Sequence, residues 1–283
     1  MTLPPESAQA RRAALRDLLA SEACLRPASV HDPLAARIAT DLGFELAILA
    51  GSTASLTVLG APDLILLTLS ELAEQARRIC RAGAPPLLVD ADHGYGNALN
   101  VRRTVEELEQ AGVAGLTIED TDLPLPYGVA TPRLISRGEG VGKIRAALSA
   151  RIDPGLVIIA RTSAVEILGL EEAVTRLRAY EAAGADALFI AGSYDREAVE
   201  AISEATTLPL ILSTLPQGMT LEELAALRVR ICLFGHLPIM AAAQAMMEVL
   251  QAQREGGRLP VEMPEGLARE ALYKGWTREF LAR

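Results

Sequence analysis

Three acidic side chains in this 283-residue sequence have the type and spacing of a cation site. Asp90 and Asp92 lie two apart in the run PLLVDADHGYGN, and Glu119 closes the run GLTIE. On a strand, residues two apart point to one side, and a carboxylate from the neighbouring strand can join them. Three carboxylates so placed repel one another unless a cation neutralises them. Oxygen donors with no Cys and little His suit Mg2+, or Mn2+, and Mg2+ takes one or two carboxylates and keeps several waters. The alternative is simpler: acids at such positions cap the helices that follow. Arg161, behind Ile158, Ile159 and Ala160, is the only Arg at a strand end and should be partly buried. Its guanidinium needs an anion, either a substrate carboxylate or the acidic cluster; a purely structural salt bridge beneath the site is the other reading. His236 follows a strand and Gly235 and precedes Pro238, which suits the first turn of a helix and makes it a candidate donor or proton-transfer group. His31 and His93 sit in polar turns that explain them without chemistry.

Two other motifs fail on inspection. GEGVGK, from Gly138 to Lys143, lacks the first Gly and the final Ser or Thr of a phosphate-binding loop and reads as a turn opening a helix. No G-x-S-x-G, C-x-x-C or H-E-x-x-H is present.

The elements that must position these residues repeat. Short apolar runs begin at Leu25, Glu45, Pro86, Gly115, Leu156, Ala187, Pro209 and Val229. They are apolar throughout, as strands covered on both faces are, which predicts a parallel sheet with helices outside. Between them lie Ala, Leu, Glu and Arg-rich stretches of helical period, four of which end on Gly43, Gly83, Gly112 and Gly184, residues suited to a left-handed helix end. AGVAGLTIED and AGADALFIAG repeat one helix, turn and strand unit. Eight units in about 250 residues predict a (β/α)8 TIM barrel, with an open doubly wound sheet as the alternative. The expected organisation is a single domain over 1–283: an N-terminal helix within 1–24, the barrel over 25–254 and a C-terminal helical extension over 255–283. The apolar face of that extension, Leu267, Leu272, Tyr273, Trp276 and Phe280, should pack on a partner subunit.

Composition removes whole classes of function. Half of the residues are hydrophobic and 22% are charged, which excludes a disordered chain. Apolar runs are far shorter than the roughly 18–20 residues of a membrane span, and Met1 to Arg12 lacks the apolar core of a signal peptide, so a cytoplasmic protein with no membrane partner is expected. Cys24, Cys80 and Cys232 are odd in number and set in apolar stretches, as buried free thiols are. A net charge of −9 with scattered basic residues shows no footprint for nucleic acid.

DADHGYGNALNVRRTVEELEQAGVAGLTIED resembles the DAD-x-GYGN and G-x-x-x-ED segments of the isocitrate lyase/phosphoenolpyruvate mutase superfamily. SVHDPLAARIATDLGFELAILAGSTAS, LGAPD, GVGKIRAAL, IIARTSA and the later GH look most like its bacterial oxaloacetate decarboxylase branch, and the resemblance covers nearly the whole chain. It implies a barrel whose last helix is swapped between subunits, a homodimer or homotetramer, and Mg2+ holding a small 2-keto acid or its enolate. It further implies Asp90 as direct metal ligand, Asp92 and Glu119 on metal-bound waters, and Asp63 near the metal shell. Gly51 and Ser52 would donate to the substrate carboxylate, Arg161 would bind substrate and His236 would face it.

Departures narrow the chemistry. Lyases of the superfamily carry a Cys-bearing K-K-C-G loop, and the phosphonate mutases Lys and Asn, where this chain reads TDLPLPYGVATPR with none of these. Related decarboxylases place a Tyr after the seventh strand, where this chain reads STLPQG with Leu215 nearest, a change that could remodel the pocket. The expectation is an Mg2+-dependent decarboxylase of oxaloacetate or a close 2-keto diacid. The alternatives are a carbon-carbon lyase or hydrolase acting on another 2-keto or 2-hydroxy acid, and a catalytically weak keto-acid-binding barrel.

Overall fold

The computed structural model describes residues 7–256 and 275–281. In chain order its elements are α1 (Ala8–Ala20), β1 (Ala28–Ser29), α2 (Pro33–Asp41), β2 (Ala47–Leu49), α3 (Gly51–Leu59), α4 (Leu69–Arg81), β3 (Leu87–Asp90), α5 (Ala98–Ala111), β4 (Gly115–Glu119) and α6 (Arg137–Ala150). There follow β5 (Val157–Thr162), α7 (Ala164–Leu168), α8 (Leu170–Ala183), β6 (Ala187–Ile190), α9 (Arg196–Ala205), β7 (Leu210–Leu212), α10 (Leu221–Ala226), β8 (Val229–Cys232), α11 (Leu237–Glu255) and α12 (Trp276–Leu281). One compact unit ends at His236 and a second begins at Leu237. Leu267, Leu272 and Tyr273 of the expected C-terminal face lie outside the described residues.

The eight strands are all parallel and pair in sequence order. The ring is closed by Leu25, which bridges Ile231 in parallel, its N–H donating to Arg230 and its carbonyl accepting from Cys232. This is the expected (β/α)8 barrel. Each of the eight apolar runs supplies a strand, because a strand with the barrel axis on one face and helices on the other has no solvated side. Gly43, Gly83, Gly112 and Gly184 all take positive φ.

The period of two divides the strand residues into two cores. Ile48, Leu88, Ile159, Phe189, Ile211 and Ile231 point to the axis, while Leu49, Val89, Ile158, Ala160, Leu188 and Leu212 pack under the helices. Leu15 and Leu19 of α1 belong to the axial cluster, so α1 plugs the end of the barrel opposite the strand C-termini. Gly115 makes room for the plug: a Cβ there would lie 2.9 Å from the Leu15 side chain. Polar contacts hold α1 in place. Arg12 donates to the carbonyls of Val113 and Glu109 and pairs with Asp153 at 2.7 Å, and Arg16 pairs with Asp186 at 3.1 Å.

GEGVGK is a local reading that the structure changes. It lies within α6, whose N-cap is Ser136, rather than in a turn before it. Gly140 is needed there because a Cβ would meet the Tyr180 ring and hydroxyl. Cys24, Cys80 and Cys232 are free and buried, as expected, and burial pushes the three thiols up to about 12, 11 and 11.

Leu15 is wholly buried at the plug. Leu15→Ala removes buried methyl groups between rigid strands and should cost about 2–5 kcal/mol, read as a lower denaturant midpoint with an unchanged slope.

Candidate active site

At the strand C-termini the axis-facing residues change from apolar to charged. Leu88 gives way to Asp90 on β3 and Ile159 to Arg161 on β5, Glu119 ends β4 between them, and a cavity of about 610 Å3 opens there. Ser52, Asp63, Asp90, Asp92, Glu119, Arg161 and His236 all line it. The structure thus brings together the cluster expected from sequence. Gly51 lies against it, since a Cβ at that position would stand 2.7 Å from Asp92 Oδ1. Leu215 is not among the lining residues and packs instead against the outer core; Ser213, two residues earlier, faces the cavity.

None of the three acids caps a helix. Asn97 caps α5 and Ser136 caps α6. Asp90 ends β3 and accepts from the Thr117 hydroxyl at 2.8 Å and from Arg161 Nη1 at 2.5 Å. Glu119 ends β4, accepts from the Thr121 hydroxyl at 3.0 Å and lies 3.4 Å from Arg161 Nε. Asp92 is past the end of the strand, in the left-handed region at φ 47°, so a turn rather than strand alternation carries it to the same mouth. Arg161 also stacks over Phe189, 5.5 Å from the ring centroid.

Below the mouth, Asp120 anchors the frame. Its Oδ2 accepts from Thr162 at 3.0 Å, Arg176 at 3.0 Å and Tyr180 at 2.6 Å. It therefore ties the ends of β4 and β5, which carry Glu119 and Arg161, to α8. The segment between β4 and α6 leaves this anchor through a Thr121–Leu134 bridge and lines the cavity with Leu123, Leu125, Tyr127 and Val129.

The charges do not balance. Burial, then the Asp90 and Glu119 charges, hold the Asp92 carboxyl well above its usual range. Burial followed by Asp90 raises Asp63, and burial raises Glu119 against the pull of Arg161. Burial alone would lower the Arg161 guanidinium, but Asp90, Glu119 and Asp92 more than offset it and the group stays charged. It is the one Lys or Arg among the lining residues. Burial lowers His236 against Asp90 and Asp63, and its Nδ1 lies 3.0 Å from Ser29 Oγ.

Such an acidic surplus fits a divalent cation. Among the described residues, no group of three His, Cys, Asp or Glu side chains could hold an ion together. An all-carboxylate set of this kind suits a hard ion held directly by one side chain and reached by the others through water. Across from it, α3 begins at Gly51 with Ala50 as N-cap and no capping side chain. Its first N–H groups have no partner within the helix, the condition under which a helix start can meet an anion.

The chain matches the phosphoenolpyruvate phosphomutase family over residues 15–254. It is 57% identical over 272 residues to an oxaloacetate decarboxylase of Rhodopseudomonas palustris (strain BisB5), covering 96% of this chain and 93% of that protein. Among solved structures, it superposes on oxaloacetate acetylhydrolase in complex with its product oxalate with a TM-score of 0.86 at 32% identity, covering 97% of each chain. It superposes on a phosphonopyruvate hydrolase complex with oxalate and Mg2+ with a TM-score of 0.85 at 33% identity, covering 96% of this chain and 97% of the other.

The raised Asp92 carboxyl has a cost with a defined sign. Between the ordinary carboxylate value of about 3.9 and its raised native value, the folded chain keeps a proton that the unfolded chain has lost. Stability therefore falls as pH rises through that interval. In the presence of a chelator, Asp92→Asn should raise the melting temperature at pH 8, by about 2–4 °C per kcal/mol relieved. The gain should shrink as the pH is lowered toward 4, as thermal unfolding at both pH values will show.

Proposed function

The chain belongs to the phosphoenolpyruvate phosphomutase family of enzymes, and from that membership we propose that it is an Mg2+-dependent decarboxylase of oxaloacetate or a close 2-keto diacid. The observation that carries the reading is the pairing of an acidic cation site with an uncapped helix N-terminus and one buried Arg in a single cavity.

Asp90 would hold the ion directly, with Asp92 and Glu119 on its waters and Asp63 nearby. When bound, the ion supplies a Lewis acid at the keto and carboxylate oxygens, stabilising negative charge that develops on the keto oxygen. The amides of Gly51 and Ser52 receive the substrate's C1 carboxylate, as a helix N-terminus receives any anion. Arg161, fixed by Asp90, Glu119 and Phe189, adds a positive charge that does not titrate near neutrality. The C3–C4 bond breaks, its electron pair moves to C3 and delocalises onto the keto oxygen, and C4 leaves as CO2. The apolar lining from Ile48, Phe189, Leu123 and Leu125 favours that neutral product over the carboxylate it replaces. A proton then adds at C3 to give pyruvate, with His236 placed to orient or supply it.

The cavity segment from Thr121 to Arg133 carries no Cys, Lys or Asn, which supports decarboxylation over the cleavage and mutase chemistry expected of those residues. A hydrolytic second reading is favoured by the TM-score to oxaloacetate acetylhydrolase. Water attack at C2 would give oxalate and acetate instead of pyruvate and CO2, so the products separate the two.

A homo-oligomer, dimer or tetramer, is part of the proposal. Helix α2 exposes Leu34 and Ile38, its C-cap Leu42 continues the i, i+4, i+8 stripe, and α11 exposes Met240, Met247 and Leu250. Such faces suit association. The chain should elute with a multiple of the monomer mass in light scattering, and a monomer at micromolar concentration would contradict this.

With Mg2+ and oxaloacetate, wild type should form pyruvate above the metal-only background. Asp90→Ala should lose at least about a hundredfold in kcat/KM, since several kcal/mol of charge stabilisation depend on the ion. Equal rates for the two proteins, or oxalate as the product, would sink the reading.

A further inference from the structure

His236 has a neighbour, Ser29, to which sequence reading gave no role. Ser29 ends β1, and its register partner Ile48 belongs to the axial cluster, so its side chain faces the barrel interior. Ser29 is buried and is not among the residues lining the cavity. Its hydroxyl lies 3.0 Å from His236 Nδ1, while the His236 side chain reaches the cavity.

A neutral imidazole carries its proton on one nitrogen, and the partner of the other nitrogen decides which. The charged groups acting on His236 are Asp90, at the end of β3, and Asp63, between α3 and α4. Ionised carboxylates only accept hydrogen bonds, and so do the carboxylates of a diacid substrate. A bare ring nitrogen facing them would set lone pair against lone pair, whereas an N–H facing them makes a bond. With the proton on Nε2, Nδ1 becomes an acceptor in a half-buried place and needs a donor. The Ser29 hydroxyl can supply one, because a serine O–H rotates to donate to whatever acceptor is within reach.

We propose that Ser29 is a positioning residue that donates to His236 Nδ1 and so holds the imidazole as the Nε2–H tautomer, with that N–H presented to the substrate. The inference rests on the decarboxylase reading only for what the N–H does to the substrate; the tautomer itself rests on the Ser29 contact. In the reaction proposed, an N–H held in one direction orients the diacid or the proton that adds at C3, and a ring free to rotate or exchange tautomers does so for only part of the time.

The sequence has three histidines, so 15N labelling of histidine resolves few signals, and His236→Asn identifies the one that disappears. In the full-length protein at pH 7.5, His236 should show an unprotonated Nδ1 and a protonated Nε2. Ser29→Ala should abolish that single-tautomer pattern and lower kcat for oxaloacetate by about ten- to a hundredfold, the scale of a misplaced reacting group, with KM changed by less than about threefold. Ser29→Thr keeps the hydroxyl and should restore both the pattern and most of kcat; circular dichroism checks that each variant is folded. A protonated Nδ1 in wild type, or an unchanged pattern in Ser29→Ala, overturns the proposal. Absence of turnover with the Nε2–H pattern intact supports the positioning role and removes the decarboxylase reading.

Discussion

A single guanidinium stands among carboxylates at the mouth of this barrel, and the site is organised around that imbalance. Arg161 meets Asp90 at 2.5 Å and Glu119 at 3.4 Å, yet burial and the charge of Asp90 still raise the proton affinity of both Asp92 and Asp63. Buried like charges are unfavourable unless compensated, so the apolar walls of the cavity raise the cost of keeping its acids ionised without a counter-charge. Gly51 belongs to the same balance. Any side chain there would push Asp92 away, so the start of α3 can approach the acids only as bare backbone. The helix N-terminus and the acidic cluster then act on one small volume with opposite sign, the arrangement on which the proposed keto-acid chemistry rests.

The geometry of the mouth is set one layer down. Asp120 follows Glu119 and Thr162 follows Arg161, and strand alternation points these neighbours away from the axis toward α8. An ion pair facing the cavity is thereby continuous with a buried network facing the helices. Ser29 plays a comparable part at β1, turned toward the axis but below the cavity surface. Side chains that never meet substrate thus hold those that would, a supporting layer that a site needs if its groups are to keep their directions.

Much of this was legible in the amino-acid order. Fully covered strands give unbroken apolar runs, and glycines end the helices, so the eight units and their acidic or basic last residues could be read directly. Asp90, Glu119, Arg161 and His236 were visible because a polar residue ending an apolar run stands at the C-terminal end of its strand, where a barrel of this kind places its site. What was hidden depends on contacts between distant segments. Asp92 reaches the site through a left-handed turn that alternation does not foresee. Leu215 follows Ser213 by two residues yet packs outside the cavity, because the chain has left the strand by then. Ser29 is an ordinary small residue in a strand, and only the closed ring puts it beside a residue 207 positions later. GEGVGK, read as a turn opening a helix, lies inside α6, where three glycines lower the helix propensity and Gly140 lets Tyr180 pack closely.

Closure of the ring also orders events in time. Leu25 bridges Ile231, joining the start of the first strand to the last, and α1 is pinned by residues 109, 113, 153 and 186 before it can plug the axis. During synthesis α1 emerges before its partners and must wait for them, on the order of ten seconds or more at about 5–20 residues per second. Until β8 is made, both edges of the sheet lack a strand and the axial apolar face has no lid. The growing chain therefore passes through a stage in which Leu15, Leu19 and the first strand edge are open to other chains, an exposure that a fold built from local contacts avoids.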